Sequence, residues 1–448
     1  MIDSAVRPVL VVLGASSTTL LLANVSWGQS SVTEEVITAI LENPHLQEST
    51  QSHYATFVDE TGQALEIGPE ITKRVSDEME KDKSFSFYLG PKQPTPTALQ
   101  GPTRSPTVEA GNNIEGGFNV IVGSQLNLSE NQSVKAELRG GAAVLGADVS
   151  YTQTFDSPQQ GVSVNIFNQR SFSPSFEEGD RDVNLPNGDT PWIHRLGGGV
   201  EFFTPIATET EGAIGVTYQR VSARDGVFSS DLQPVDELGN QLTVSNNGQE
   251  DLLTLNLEAE HDTRNRNDDT TEGTRIRFGL DQAIPIGDAS IDFTRLAANY
   301  TQYIPFPLFG FQEGPRTLVI NVQGGHIFGD VPAYEAFNPT AAGFDGGEIA
   351  TSRSFIQGSA EYRFPIFSFI ALDEDIDVGG MVFVDYADSL GTQGDVIGIP
   401  GIVRNKPGEG LGYGLGLRAN SPFGIIRIEF GLNDDGGSEV NVGIGERF

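Results

Sequence analysis

From about residue 115 to the last residue the chain alternates apolar with polar or small side chains at period two. Clusters of Gly, Asn, Asp and Pro interrupt it at short intervals, and helical spacing is almost absent. Successive side chains of an extended chain point to opposite faces, so this region can build only strands with one greasy face and one small or charged face. In LGYGLGLRA, Leu411, Tyr413, Leu415, Leu417 and Ala419 share one parity while Gly412, Gly414, Gly416 and Arg418 hold the other. TRIRFGLD sets Ile276, Phe278 and Leu280 against Arg275, Arg277 and Asp281, and FIQGSAEYRFPI sets Ile356, Ala360, Tyr362, Phe364 and Ile366 against Gln357, Glu361 and Arg363. The closing VNVGIGERF continues the pattern with Val440, Val442, Ile444 and Phe448, and Glu446 breaks the apolar parity.

Two architectures produce such alternation. A soluble sandwich packs its apolar parity inward, whereas a membrane barrel turns it to lipid and lines its lumen with the polar parity. The second is favoured by the charged pair Glu361 and Arg363 beside Gly on the polar face. It is favoured too by connections that range from the tight Asn433 to Gly437 turn to the long polar EEGDRDVNLPNGDTPW, and by an aromatic residue closing a strand. About 15 to 16 strand candidates fall here, about 21 residues for each strand with its connection, which suits strands of about 9 to 11 residues and closure at an even 16. The expected fold is therefore all-β, a 16-stranded antiparallel transmembrane barrel over 115–448, preceded by a small α+β element.

Composition narrows the chemistry. With 27 Lys and Arg against 61 Asp and Glu, the net charge of −34 repels polyanions over most of the surface, so nucleic acid is excluded as a partner. Cys is absent, which removes disulfides, thiolate metal sites and a cysteine nucleophile. The 27 Phe and only 20% charged residues separate the chain from disordered sequences. The acidic excess belongs to outer loops, where divalent cations could bridge it to an anionic lipid surface.

Residues 1–29, with Arg7 ahead of an apolar stretch from Val9 to about Trp27, read as an export signal with a moderately polar core. No later run is long and apolar enough for a membrane helix. Residues 31–90 form a small mixed element on the periplasmic side. Val32, Val36 and Ile40 follow a Ser31 to Glu34 capping box, a hairpin turns at Thr61-Gly62, Ile71, Val75 and Met79 mark a second helix, and Phe85, Phe87 and Leu89 alternate as a strand. Pro91, Pro94, Pro96, Pro102 and Pro106 stiffen a linker over 91–114.

Several segments occur in an order that resembles the BamA and TamA surface-antigen family. These are HDTRNRNDDTTEGTRIRF (261–278), VPAYEAF (331–337), TSRSF (351–355), SAEYRFPIF (359–367), GGMVFVDYAD (379–388), GLGYGLGLRANSPFGIIRIEFGLN (410–433) and the closing GIGERF. The resemblance covers about 115–448. It implies a barrel that inserts or translocates proteins at an outer membrane without nucleotide, metal or other cofactor. Its partners would be outer-membrane lipids and unfolded barrel clients, and its seam would lie between Asn119–Leu126 and Val440–Phe448.

The family's lumen loop carries a Val-Arg-Gly-Phe/Tyr tip whose Arg pairs with the Asp of a Phe-x-Asp-x-Gly wall motif. Here the wall motif reads Phe383, Asp385 and, in the glycine position, Ala387, while the tip reads Ala341, Ala342, Gly343, Phe344 and Asp345. Ala342 stands where the arginine is expected. A carboxylate facing a partly dehydrated lumen is costly without a cation, so Asp385 needs another partner, and Arg353 and Arg363 are the sequence candidates. Ile444 and Phe448 carry the C-terminal barrel signal. A plain pore or structural barrel that lacks assembly activity is the alternative reading.

Catalytic and metal readings are weak. A calcium loop from Asn265 meets Thr270 at its glycine position and Ile276 at its twelfth, and DEDID (373–377) fails likewise with Val378 and Val384. The five histidines include no i, i+4 pair, and His261 and Asp262 point to opposite strand faces. No nucleophile elbow or phosphate loop occurs. Tyr300, Tyr303, Phe306 and Phe309 read as an interfacial girdle.

Overall fold

The computed structural model describes residues 119–448 apart from 130, 142, 156–159, 181, 266–268, 372–373 and 422–423, and five short strands ahead of them. Fifteen strands follow one another: β1 Asn119–Ser129, β2 Gln132–Gly141, β3 Val144–Thr154, β4 Gly161–Ser171, β5 Trp192–Ala207, β6 Thr210–Arg224, β7 Gln249–Asp262, β8 Gly273–Ile284, β9 Phe293–Pro305, β10 Thr317–Gly329, β11 Ser354–Ala371, β12 Glu374–Asp388, β13 Glu409–Ser421, β14 Gly424–Asn433 and β15 Ser438–Ile444. Each pairs antiparallel with the next, in one continuous meander. The sheet counts sixteen strands because Phe85–Leu89 stands beside β1. The region 115–448 thus supplies fifteen strands, one fewer than the sixteen expected of it, and the sixteenth in the sheet is the short strand assigned from sequence to the 31–90 element.

Ahead of it, Thr56–Val58 pairs with Ala64–Glu66, the hairpin around Thr61-Gly62 that the sequence suggests. Arg7–Val12 pairs with Leu20–Val25 inside the segment read as an export signal. The helices expected behind Ser31 and at Pro69 and the linker 91–114 lie outside the described residues.

The two faces of the sheet divide as the alternation requires. In β13, Leu411, Tyr413, Leu415 and Leu417 are exposed, Leu415 at 59%, while Arg418 on the other parity is buried. In β12, Val382, Val384 and Tyr386 are exposed and Met381, Phe383, Asp385 and Ala387 are buried. In β11, Ile356 is exposed and Glu361 and Arg363 are buried. An exposed face of Leu, Ile, Val, Phe and Tyr opposite a face of Gly, Ser, Asn and paired charges is the reverse of a sandwich. It matches a lipid-facing wall around a polar interior. The ladder satisfies the backbone groups that lipid cannot.

The sheet curls so that distant strands meet through the interior. Arg195 of β5 and Arg295 of β9 both bond Glu335, at 2.6 Å each. Asp269, in the β7–β8 connection, pairs with Arg418 of β13 at 3.1 Å. Connections at one end of the barrel are mostly short. At the other end four are long, 172–191, 225–248, 330–353 and 389–408, and they pack on one another. Phe176, Leu185, Leu242, Phe337 and Val396 from these loops share a buried core with Phe293, Ile327 and Phe355 of the strands.

Lys406 ties three of the loops together, donating to Gly347 O at 2.6 Å, Pro174 O at 3.1 Å and Thr351 Oγ1 at 3.2 Å. Burial drives its ammonium down to about 7, against the pull of the nearby Glu177, Glu178 and Asp182 carboxylates. Arg404 holds the fourth loop through Asp236 at 2.9 Å and Glu237 at 2.8 Å. Burial works against charge on Glu335, yet Arg195 and Arg295 hold its carboxyl below the usual range.

Two details depart from expectation. Tyr303 does not join the girdle of Tyr300, Phe306 and Phe309, because it lies an odd number of residues from Tyr300 and so points inward, where it is 1% exposed. The last strand stops at Ile444, so Phe448 is not a lipid-facing strand residue. Glu446, the parity break, turns the chain to the inner wall.

Phe337 is 1% exposed, with its ring centroid 4.7 Å from that of Phe355. Truncation at Phe337→Ala leaves a cavity in the loop core, and the expected loss is about 3 to 5 kcal/mol. The urea midpoint of the folded barrel in detergent micelles checks it.

Candidate functional site

The loop 330–353 enters the barrel instead of standing above it. A short 3₁₀ turn, Ala333–Glu335, seats Glu335 between Arg195 and Arg295, and Val331, Ala333, Tyr334, Phe337, Ala341, Ala342 and Phe344 are all buried. The tip then lies against β11 to β14. Phe344 packs with Ala341, Ile349, Ala350 and Ala387, which brings the first residue of the aligned tip motif onto the last residue of the wall motif.

Glycine makes room for this contact. A Cβ at Gly412 would stand 2.0 Å from Ala342 O, one at Gly431 2.5 Å from Gly343 N, and one at Gly410 2.7 Å from the Phe344 ring. The inward parity of β13 and β14 is therefore cleared of side chains where the loop backbone runs. Gly343 itself has φ +78°, a left-handed conformation that glycine adopts without strain. Asn433 Nδ2 donates to Gly343 O at 2.6 Å.

Asp385 is the centre of the site. It is 3% exposed and accepts from Ala342 N at 3.1 Å and from Ser359 Oγ at 2.5 Å. Its cation is Arg447, which pairs with Asp385 Oδ2 through Nη2. Neither sequence candidate serves. Arg363 is taken by Glu361 and by Glu446 at 2.7 Å, and Arg353 faces Asp395 at 3.7 Å among the long loops. Arg353 lies ahead of β11 at the loop end, and Arg363 has a carboxylate two residues away on its own strand face, so both are used before Asp385 is reached. Asp345 closes a turn instead, its N–H donating to Glu348 Oε2 at 2.7 Å.

The guanidinium of Arg447 lies over the Phe383 ring at 4.4 Å and the Phe448 ring at 5.3 Å, so aromatic faces add to the ionic contact. Glu361 Oε2 and Glu429 Oε2 approach it at 3.7 Å each. Breaking such a buried pair by removing one member leaves an uncompensated charge and costs about 3 to 5 kcal/mol. The sequence reading thus located the loop tip, Phe383, Asp385 and Ala387, which the fold brings together. It missed Ser359, Asn433, the glycine lane and Arg447, of which only the strict Gly alternation of β13 and the parity break at Glu446 gave a signal.

Among the described residues the histidines and acidic groups gather no second site. His261 Nδ1 meets Thr210 Oγ1 at 2.9 Å while Asp262 pairs with Arg264 at 2.6 Å, so the two act apart. Among the described residues no three His, Asp or Glu side chains gather as metal ligands.

Comparison with known proteins gives the same assignment. The chain is 27% identical over 323 residues to outer envelope protein 80, chloroplastic, of Arabidopsis thaliana, covering 71% of this chain and 41% of that protein. It is 25% identical over 324 residues to protein TOC75, chloroplastic, of Pisum sativum, covering 66% and 37%. The chain therefore spans about two fifths of these relatives. Among solved structures, BamA from Haemophilus ducreyi lacking POTRA domains 1–3 superposes with a TM-score of 0.55 at 14% identity over 93% of both chains, a likeness of fold. The Omp85 superfamily domain matches residues 128–448, and with the buried loop tip on its wall motif in place, the chain belongs to the Omp85 superfamily.

Proposed function

We propose that this chain is an outer-membrane barrel that assists the insertion or translocation of other proteins, without nucleotide, metal or catalytic residues. The observation that carries the reading is the docking of the 341–344 tip on Asp385 across a wall cleared by Gly412 and Gly431. A loop held inside the lumen on a glycine lane takes up space that an open diffusion path would use. Its upkeep with an altered tip indicates that the loop's position, not one particular arginine, is what the barrel needs. Unfolded barrel proteins are the clients in this reading, and the flanking lipid is the second partner.

The location that goes with it is an outer membrane of the bacterial type. Residues 1–29 act as the export signal, 31–90 lie on the periplasmic side, and 91–114 link them to the barrel. In this reading the seam for client strands lies between Asn119–Leu126 and Val440–Phe448; since Phe85–Leu89 stands beside β1, the edge that could template pairing is that of β15. Divalent cations at the acidic outer loops belong to the same proposal, in which Asp236 and Glu335 take no part, since both are buried against arginines.

The alternative of a passive pore is opposed by the loop core, which fills the interior at the long-loop end with Phe176, Leu185, Tyr334 and Phe337. Planar-bilayer recording separates the two readings. The parent chain is expected to rest in a low-conductance state, and deletion of 340–348 to produce large open-channel steps. Steps of the same size from both would make it a pore.

Insertion itself is tested by refolding a small unfolded barrel protein into liposomes that contain this chain. Acceleration is expected from the parent. Asp385→Ala and Gly412→Ala, which release or push off the loop tip, are expected to slow insertion by about tenfold, equivalent to about 1.4 kcal/mol in barrier height. No acceleration by the parent, in vesicles shown to hold folded barrel, would remove the insertion reading.

A further inference from the structure

The four residues after β15 are held to the inner wall by side chains and not by a strand ladder. Glu446 takes Arg363 at 2.7 Å, Arg418 at 3.3 Å and Thr270 N at 3.2 Å. Arg447 takes Asp385 and lies on the face of Phe383. The Phe448 backbone oxygen accepts from Tyr303 Oη at 3.2 Å. Only Gly445 keeps strand-like contacts, through its N–H to Ile425 O at 2.7 Å and its oxygen to Arg427 Nε at 2.8 Å. Two consecutive side chains, an acid and an arginine, and the backbone oxygen after them thus meet complementary groups that come from four different strands and a turn.

This arrangement has the properties of a receptor with its ligand in place. The charged wall residues around the segment are Arg363, Arg418 and Arg427 with Glu361, Asp385, Glu429 and Asp269. The segment adds Glu446 and Arg447. Its departure leaves Asp385 to Ser359 Oγ and the Ala342 N–H, so release needs water at the carboxylate or a second arginine in the place of Arg447. Side-chain docking without a ladder also opens locally at far lower cost than unzipping a strand.

We propose that the inner wall around Asp385 is a peptide-binding site for a short extended Glu-Arg segment, which residues 446–448 fill in cis and vacate reversibly. Asp385 and the Phe383 face read the arginine, the Arg363 and Arg418 pair reads the acid, and Tyr303 fixes the backbone after it. Arg447 is in this sense a positioning residue. It places the loop tip indirectly, by neutralising the same carboxylate oxygen that accepts the Ala342 N–H.

The natural sequence has no cysteine, so a single Phe448→Cys reports on the segment in the full chain folded in micelles. The Tyr303 bond goes to the backbone and survives that change. The measurement is the rate of maleimide labelling. Slow labelling is expected in the parent background, with an increase of roughly tenfold or more in Asp385→Asn, as local opening becomes easier. A synthetic peptide of residues 438–448 at millimolar concentration is expected to speed labelling by competing for the wall, and the same peptide with Gln in place of Arg447 is expected to have no effect. If Asp385→Asn fails to fold, judged by heat-modifiable mobility, Arg447→Gln in the chain probes the contact from the other side, and Arg447→Lys is expected to restore part of the protection. Labelling at the free-thiol rate in the parent, an unchanged rate when the pair is broken, or indifference to the peptide would each overturn the proposal.

Discussion

A carboxylate on the inner wall of a membrane barrel must be neutralised, and most of the interior architecture follows from how Asp385 is. It lies on the inward parity of β12, 3% exposed, where water cannot screen it. Two donors of the protein's own, Ser359 Oγ and the Ala342 N–H, satisfy part of its hydrogen-bonding capacity, and Arg447 supplies the charge. These three come from a neighbouring strand, an inserted loop and the segment after the last strand. One carboxylate therefore ties the inserted loop and the closing segment, which no ladder connects, to the β11–β12 wall where Ser359 is its register partner, and it fixes where the loop tip stops.

The wall around it is shaped for that purpose. Gly410, Gly412 and Gly431 leave a lane in which the backbone of 341–344 lies at distances a Cβ would forbid. Glycine in a strand interior weakens the strand and leaves a face without packing. Here that face is covered by loop backbone and by Phe344, so the weakness is offset by contact. The outward parity of the same strand, Leu411 to Leu417, keeps its full apolar character toward lipid. The strand thus carries two unrelated specifications, one per face, and the period-two chain geometry is what allows them to coexist.

This division also explains what could be read from the residues alone. Strand identity, inward and outward parity, the barrel in preference to the sandwich, and the loop tip and wall motif were all legible, because each depends on local alternation or on a short run of residues. The partner of Asp385 was not, since it lies 62 residues away in sequence and rests on where the chain goes after Ile444. Arg363 looked suitable on parity, but its own strand neighbour Glu361 claims it. The break in parity at Glu446 was visible, and its meaning was not, because a polar residue among apolar ones signals a turn away from lipid without saying toward what. Tyr303 was misplaced by treating a cluster of aromatics as one belt when its parity already pointed it inward.

At this site Ala342 brings no charge to Asp385, and Arg447 supplies it. Arg447 lies against Asp385 and over the Phe383 ring, 4.4 Å from that ring, and the loop tip reaches the same carboxylate through a backbone N–H. With Ala at 342, the tip approaches through its backbone N–H alone, closer to the wall than a long side chain would permit, and Gly412 and Gly431 accept that approach. The charge that the wall requires then arrives from the opposite direction. Loop and closing segment become coupled through a single oxygen, so a change that withdraws one of them alters the energy of holding the other.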